Sequence, residues 1–389
     1  MTPINLNRTL FSAAIFLGWT VAAWGMDQVV LRHEGREITL SGRLLITAED
    51  GGLLLLARDG LIWPILPEDL IKHTSDAEPF APFTREEMAK RLLAVLPKNF
   101  EVLPVNQYKH YLIFYDTSRT YAHWCGSLFE RLYMAFTNFW SQKPRDFELT
   151  KPEFPLVAVI FADKQAYLKF TRADLGDAGE SIVGYFNLAT NRMTMYDLTG
   201  AASAGRPSVS VSTGAQINQI LARPEALQTV STIVHEATHQ IAFNCGLHTR
   251  LSDCPVWFSE GIAVFFETPD LNGAKGGWNG IGAVNRVHLE QFQKYLSRRP
   301  ADSLSTLITT DKRLHDLKQT SDAYAEAWAL TNFLIKQHPK EYIAYLRMLS
   351  KKKPLLSDSP QTRLDEFQRA FGDIKKLDTE FLRYMGRVR

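Results

Sequence analysis

The chain has 389 residues, which is enough for two or three domains and a large hydrophobic core. Hydrophobic residues make up 45% and charged residues 22% of the sequence, and 44 basic against 42 acidic residues leave a formal net charge of +2. This composition is usual for a globular protein and produces no strong electrostatic field, so nothing at this level indicates a nucleic-acid partner.

Residues 1–25 have the pattern of a secretory signal peptide. Arg8 provides a positive charge, Thr9 to Met26 is uncharged, and Ala23-Trp24-Gly25 places small residues at the two positions that a signal peptidase reads. The alternative is an uncleaved anchor, because the uncharged run just reaches the lower limit for a membrane span. We predict cleavage and export to the periplasm, the cell surface or the medium, with a membrane as partner only if the segment is retained.

Residues 26–75 are predicted to form a small β module. Short β-rich runs are separated by Glu34-Gly35, Asp50-Gly51-Gly52 and Asp59-Gly60, which are hairpin signals. Five short strands around tight turns fit an SH3-like barrel. The sequence leaves two roles open for this module: it attaches the protein to a substrate or cell wall, or it only packs against the rest of the chain. Residues 76–105 are predicted to be a linker with one helix near Glu86–Leu96.

Strands and helices are predicted to alternate over residues 106–270, which we interpret as one domain. The predicted elements are a strand at His110–Thr117, a helix at Arg119–Trp140, a strand at Leu156–Ala162, a helix from Lys164, and a hairpin at Gly184–Asp197 that turns near Ala189-Thr190-Asn191. This order indicates a small mixed sheet with helices packed on it.

The chain from Pro224 onward is predicted to be largely helical, with residues 271–389 forming a helical C-terminal subdomain. Pro224 suits a first helical turn, and Gly246 is a suitable residue to end that helix. The later helices are predicted at Val287–Leu296, Ala323–Gln337, Lys340–Leu349, Leu364–Phe371 and Leu377–Met385.

The first of these helices carries the sequence HEATH, which begins at His235. His235 and His239 are four residues apart, so they share one helix face and can bind the same metal ion. Glu236 lies one step around the helix, where it could take a proton from a water that the ion activates. The alternative is an ordinary helix whose two histidines make surface or capping contacts.

A third ligand would distinguish these alternatives, because a catalytic zinc ion has three protein ligands and one open position. The helix predicted at Cys254–Glu267 is apolar, but it contains a carboxylate in its interior, Glu260. A carboxylate among large apolar side chains is costly to bury without a partner, and a metal ion is such a partner. The 21 positions from His239 to Glu260 leave room for a helix end, a turn and a returning helix. Gly261 and Ala263 would let another helix approach closely.

The combination HEATH…WFSEGIA resembles the gluzincin branch of the zinc metallopeptidases, within the peptidase MA-like superfamily. The form W-x-x-E-G-x-A is similar to that of the aminopeptidase-like members. The chain also resembles uncharacterised peptidase-like families of exported proteins that place a β module before such a domain. The likeness covers about 110–345 in layout and is motif-specific only over 234–267.

The resemblance implies an α+β protein with a zincin-like catalytic domain, one zinc ion and a peptide or protein substrate. It implies that His235, His239 and Glu260 bind zinc, that Glu236 is the general base, and that a later tyrosine stabilises the oxyanion. Tyr324 matches that tyrosine, although a core tyrosine is the alternative. Such enzymes also hold the substrate backbone on an edge strand, for which the hairpin strand at 191–196 is the best match.

Two departures from the family pattern matter. The Gly-x-Met-Glu-Asn motif that captures a free amino terminus in the aminopeptidases is absent, so we expect an endopeptidase. The position four after Glu260, which holds an acid that orients a ligand histidine in some gluzincins, is Val264. Two alternatives remain for Glu267: it orients a ligand histidine, or it lies exposed at the end of the helix. Glu326 is expected to face solvent, and His248 to lie in a solvated turn, with substrate contact as its alternative.

The three cysteines carry a separate prediction. Cys245 and Cys254 flank the turn between the two ligand helices, so in an oxidising compartment a disulfide between them is plausible. Cys125 is expected to be a buried free thiol.

The leading hypothesis is an exported zinc metallopeptidase. The alternatives are a catalytically inactive zincin-like binding or scaffold protein, and a structural protein without metal. The last would leave Glu260 without a partner.

Overall fold

The computed structural model describes residues 25–142, 148–199, 213–268 and 280–389. Over these residues the chain is a mixed α+β protein with two five-stranded sheets and many helices. The predicted signal peptide lies outside the described residues except for Gly25, which begins the first strand. A search of the described helices found none with the length and apolar character needed to cross a bilayer.

The N-terminal sheet is antiparallel and has the strand order β4-β3-β2-β1-β5. Its strands are β1 (Gly25–His33), β2 (Arg36–Thr47), β3 (Leu53–Ala57), β4 (Ile62–Ile65) and β5 (Leu70–Pro79). The predicted hairpins are confirmed, because Glu34, Gly35, Gly51 and Gly60 all have positive φ angles at the turns. The sheet extends beyond residue 75, the predicted end of the module.

This sheet is open, so the closed barrel that we expected is not present. No described pairing joins β4 to β5, and β5 is an exposed edge. The free side of β4 contacts another part of the chain, since the Ile62 N–H donates to the Ala189 carbonyl at 2.8 Å. The sheet is curled, because the rings of His33 on β1 and Trp63 on β4 lie 5.3 Å apart although the two strands are not neighbours. Its other face is buried against Phe154 and Leu251.

The second sheet has the order β6-β7-β8-β10-β9 and is mixed, as predicted. Its strands are β6 (Glu101–Val102), β7 (Tyr111–Tyr115), β8 (Leu156–Phe161), β9 (Gly184–Asn187) and β10 (Arg192–Tyr196). Strands β7, β8 and β10 are parallel, and β9 returns antiparallel along β10. Every residue of β7 and β8 is buried, as is typical of parallel strands covered on both faces.

Helices make up most of the remaining described chain. They are α1 (Arg85–Val95), α2 (Arg119–Ser141), α3 (Lys164–Leu175), α4 (Gly214–Leu221), α5 (Pro224–Asn244), α6 (Val256–Phe266), α7 (Arg286–Leu296), α8 (Ser303–Thr309), α9 (Lys312–His315), α10 (Thr320–Gln337), α11 (Pro339–Ser350), α12 (Pro360–Phe371) and α13 (Ile374–Met385), with a 3₁₀ helix at Gly176–Ser181. The sequence pattern did not predict α4, α8 and α9, which have eight residues or fewer.

Helix α10 packs directly on α6, where the sequence predicted a close approach. A Cβ atom added at Gly261 would lie 2.1 Å from Thr331 Oγ1 and 2.8 Å from the Ala327 carbonyl oxygen. Only glycine fits at this crossing. The expectation for Glu326 was wrong, because this α10 side chain is fully buried and paired with Arg299 at 2.7 Å and Arg313 at 2.9 Å. These two arginines neutralise the carboxylate that the apolar helix buries.

Candidate metal centre

Helix α5 carries the HEATH sequence in its second half and is held by its surroundings on several sides. It packs against α2, α6 and strand β9. The helix ends with Cys245 as its C-terminal cap, and Gly246 follows with φ of +77°, so the predicted helix stop is confirmed. His235 and His239 therefore lie on a rigid element, with their rings 4.8 Å apart.

The side chain of Glu260 on α6 meets both histidines. His235 Nε2 lies 3.0 Å from one Glu260 carboxylate oxygen, His239 Nε2 lies 3.4 Å from the other, and the two Nε2 atoms are 3.1 Å apart. The three side chains are 11%, 12% and 15% exposed. They form the one group of metal-ligand type that was found among the described residues.

This donor set fits a zinc ion. Ligand atoms bound tetrahedrally at about 2.0–2.1 Å from Zn²⁺ are separated from one another by roughly 3.3–3.4 Å. The observed separations of 3.0 to 3.4 Å are close to that value. Two imidazole nitrogens with one carboxylate form a known catalytic zinc set, with a fourth position left for water. The cluster is therefore compatible with a metal site.

Glu267, seven residues after Glu260, contacts the other ring nitrogen of His235. His235 Nδ1 donates to a Glu267 carboxylate oxygen at 3.0 Å, and the Glu267 side chain is 9% exposed. On the other side, Asn285 donates to Glu267 at 2.8 Å and His288 Nε2 lies at 3.3 Å. Burial opposes ionisation of Glu267, but the hydrogen bonds from His235 and His288 outweigh it and lower its pKa to about 2. Glu267 is therefore not an exposed helix end, and it makes the contact with His235 that an orienting residue would make.

Glu267 also selects the tautomer of His235. An ionised carboxylate accepts the Nδ1 proton, which leaves the Nε2 lone pair directed at Glu260. Two acceptors 3.0 Å apart repel each other unless a cation or a proton lies between them. Without a metal ion a proton takes this place on Nε2, because the hydrogen bonds to Glu260 and Glu267 outweigh burial and raise the pKa of His235 well above its usual value. The cluster therefore has a strong preference for positive charge at its centre.

Replacing Glu267 by glutamine is expected to weaken zinc binding about 10- to 100-fold, the usual cost of losing a partner that orients a metal ligand. The amide can still contact His235 but has no negative charge to hold the Nδ1 proton. Zinc titration of the metal-free protein would measure the change. Glu290→Gln, at an exposed glutamate on α7, is the matched control and should bind zinc as the unmodified protein does. Equal affinity in the two variants would contradict the orienting role.

Glu236 does not belong to the ligand group and faces the edge of the second sheet. Its carboxylate accepts a hydrogen bond of 2.9 Å from the Phe186 N–H on β9. Burial raises the pKa of Glu236, although the nearby His235 and His239 act in the opposite direction. A carboxylate with a raised pKa close to the metal ligands has the properties of a general base.

Glu236 is the first of three polar residues that attach α5 to the β9–β10 hairpin at intervals of one helical turn. Gln240 donates to the Asn191 carbonyl at 3.2 Å, and the side-chain amides of Asn244 and Asn191 exchange hydrogen bonds of 2.9 and 2.7 Å. Asn191 has φ of +61° in the hairpin turn, where the sequence predicted a turn. The hairpin and the helix that carries the metal ligands are thus positioned as one unit.

The prediction for the edge strand was wrong in one respect. Strand β10, which includes most of residues 191–196, lies between β8 and β9, and the edge is β9. The parallel pairing of β10 with β8 places it inside the sheet, and local sequence could not indicate this long-range contact. The Phe186 N–H points away from β10 and toward Glu236, so the outer edge of β9 faces α5 beside the two histidines.

Tyr324 on α10 also reaches the cluster. Burial raises the pKa of its hydroxyl well above the usual value, and the nearby Glu260 carboxylate raises it further. The hydroxyl therefore stays protonated and can donate. Helix α10 places this side chain beside the third ligand because of the close crossing at Gly261.

A family model described as "Protein of unknown function (DUF1570)" is similar to residues 229–356, about one third of the chain. This stretch contains the three ligand candidates together with Glu236, Glu267 and Tyr324, but not the sheet that carries Phe186. The search of curated proteins found no match.

The predicted disulfide between Cys245 and Cys254 is not formed, and all three cysteines are free thiols. Cys245 lies near Tyr133, whereas the Cys254 sulfur lies 3.6 Å from His248 Nδ1, so the two thiols have different neighbours. Cys125 is buried, as predicted. The expectation for His248 was wrong, because this side chain is only 3% exposed and packs against Phe243 and Phe258.

Polar contacts fix the turn between the ligand helices in place of a disulfide. Asp253 is paired with Arg363, whose guanidinium also contacts Asp311 at 2.9 Å. Asp311 in turn accepts a hydrogen bond of 3.0 Å from the Val256 N–H at the start of α6. The C-terminal helices therefore help to determine where Glu260 returns to the histidines.

Proposed function

We propose that the protein is an exported zinc-dependent metallopeptidase, most simply an endopeptidase, with a zincin-like catalytic domain. The observation that carries the proposal is the convergence of His235, His239 and Glu260 with Glu236 beside them but outside the ligand set. A site for structural zinc would need no adjacent carboxylate with a raised pKa. The open N-terminal sheet removes the SH3-like barrel from this proposal.

His235, His239 and Glu260 would hold the ion, with Glu267 fixing the orientation of His235. When bound, zinc supplies Lewis-acid activation of a water molecule and of the substrate carbonyl group. Glu236 accepts the proton that this water loses and passes it to the leaving amine. Its hydrogen bond from the Phe186 N–H engages one carboxylate oxygen, so the other is available to the water.

The free edge of β9 supports an extended peptide substrate. Glu236 holds the Phe186 N–H, but no strand of the described residues pairs with the rest of this edge, so its other backbone groups can pair with a peptide beside Glu236. Binding a peptide along this edge would place one of its carbonyl groups near the metal cluster. The absence of a Gly-x-Met-Glu-Asn sequence agrees with cleavage within a chain rather than at its amino terminus.

Tyr324 is proposed as the donor that stabilises the oxyanion. The raised pKa keeps the Tyr324 hydroxyl protonated, and the side chain lies near Glu260, beside which the oxyanion would form. Export is proposed on the pattern of residues 1–25 alone, because the free cysteines add no support for an oxidising compartment.

Cleavage of an unstructured protein tests the proposal. Purified protein loaded with zinc is expected to cut casein into fragments, and a chelator is expected to stop the cutting until zinc is restored. Zinc content measured by elemental analysis should be about one ion per chain. Bound zinc without any cleavage would favour a binding or scaffold protein, and no bound zinc would contradict the whole assignment.

A further inference from the structure

Arg250 joins three segments that are distant in sequence. It lies in the turn between α5 and α6, and its Nη1 donates to the carbonyl oxygen of Gly60 at 2.9 Å and of Leu188 at 3.1 Å. Gly60 lies in the turn between β3 and β4 of the N-terminal sheet, and Leu188 in the turn of the β9–β10 hairpin. One guanidinium group therefore links the N-terminal sheet, the hairpin and the turn between the metal-ligand helices.

Stability alone does not account for this arginine. In the described part of the chain no carboxylate lies within 4.0 Å of its guanidinium, although Glu153 and Asp59 attract it from farther away. Burial lowers its pKa to about 10, which means that the surroundings disfavour the charge. The guanidinium is partly buried and is held by two backbone carbonyl groups rather than by a paired carboxylate, so its contacts fix the relative position of the two turns.

Two further contacts connect the same pair of turns. The Ile62 N–H at the start of β4 donates to the Ala189 carbonyl at 2.8 Å, and Asp59 lies 3.7 Å from Arg192 on β10. Gly60 in the β3–β4 turn has φ of +84°, and a Cβ atom added there would lie 3.3 Å from Phe154 and 3.6 Å from the Asn191 side chain in the hairpin turn. The N-terminal sheet thus contacts the hairpin at its turn and at the base of β10.

The hairpin carries the groups on which the proposed chemistry depends. Phe186 on β9 holds Glu236 through its N–H, and Asn191 in the turn holds α5 through Asn244. The free edge of β9 is the proposed site for the substrate backbone. A displacement of the hairpin would therefore move the base and the substrate edge relative to the metal ligands.

We propose that the N-terminal sheet is a positioning element of the active site, which holds the β9–β10 hairpin against α5 through Arg250 and the β3–β4 turn. The consequence for catalysis rests on the proposed function. The effect on the hairpin does not depend on the proposed function, because the stability of β9 can be measured without any substrate. The sheet is then part of the catalytic unit and not an independent attachment module.

Two arginine variants test this inference. Arg250→Met removes the bridge to both turns, and Arg250→Lys keeps the charge but lacks the planar group. Arg43→Met is the matched control, because Arg43 also links the N-terminal sheet to a distant segment, through two hydrogen bonds of 2.9 and 2.8 Å to Glu153 ahead of β8, but bonds to neither turn. The readout is amide hydrogen exchange of the segment 184–188 in the full-length protein with zinc added.

Exchange in this segment is expected to accelerate about tenfold in Arg250→Met and less in Arg250→Lys, but to stay within about twofold in Arg43→Met. With a peptide substrate, KM should rise several-fold in the Arg250 variants while zinc content stays unchanged.

Equal acceleration in the Arg250 and Arg43 variants, or none in either, would overturn the inference. Should Arg250→Met fail to fold, Arg250→Lys carries the same comparison. If the unmodified protein cleaves no peptide, the exchange result still decides the inference, while the casein assay separately rejects the proposed function.

Discussion

Glu236→Gln is expected to lose nearly all hydrolytic activity and to keep its zinc. Glutamine has the shape of glutamate, and its carbonyl oxygen can still accept the Phe186 N–H hydrogen bond. It cannot accept a proton from water at neutral pH, and loss of a general base usually costs about 10²- to 10⁴-fold in rate. The decrease should be in kcat, measured on a peptide substrate under conditions where zinc content is also determined.

The same variant should fold at least as well as the unmodified protein. Burial raises the pKa of Glu236, so the folded state disfavours the charged form that glutamine removes. Its thermal midpoint should therefore not fall. Glu236→Asp, which keeps the charge on a side chain one methylene shorter, should retain more activity than Glu236→Gln. A fully active Glu236→Gln would show that another group accepts the proton, and a loss of zinc would show that Glu236 is a ligand.

The elements that carry the site could be predicted from sequence because their signals are local. The spacing of His235 and His239 specifies a shared helix face wherever the helix is placed. Glu260 was identified by a conflict, a carboxylate in an apolar helix, and the structure resolves it with His235 and His239. Gly261 indicated the close approach of another helix, and α10 packs there.

What could not be predicted depends on contacts between distant segments. Glu326 was expected to face solvent, yet a helix as apolar as α10 is buried on all sides, and its partners Arg299 and Arg313 come from separate segments. Glu267 could have been ranked higher, because a residue two helical turns beyond Glu260 shares its face. Its partners Asn285 and His288 had no sequence signal. The edge position of β9 follows from the parallel pairing of β10 with β8, which is a property of the whole sheet.

Glu260→Gln is expected to abolish stable zinc binding, and this result would decide whether the cluster is a three-ligand site. An amide is a poor metal ligand beside two neutral imidazoles, because it contributes no negative charge to balance the ion. After dialysis against micromolar zinc, the content should fall from about one ion per chain to near zero. Zinc should also raise the free energy of unfolding of the unmodified protein, by about 2.7 kcal/mol at a free zinc concentration one hundred times Kd. Glu260→Gln should show no such increase.

Comparison with Glu267→Gln gives this experiment its control. Both substitutions remove one carboxylate that contacts His235 in the same buried cluster, at 3.0 Å in each case, so general damage to the fold should affect them alike. A direct ligand and an orienting residue differ in how much they affect the metal. Zinc binding should disappear in Glu260→Gln but only weaken in Glu267→Gln, with far-ultraviolet circular dichroism unchanged in both. If Glu260→Gln kept its zinc while Glu267→Gln lost it, Glu267 would be the third ligand. The ion would then lie on the Nδ1 side of His235, away from His239 Nε2, and the position of Glu236 as base would no longer follow from the geometry.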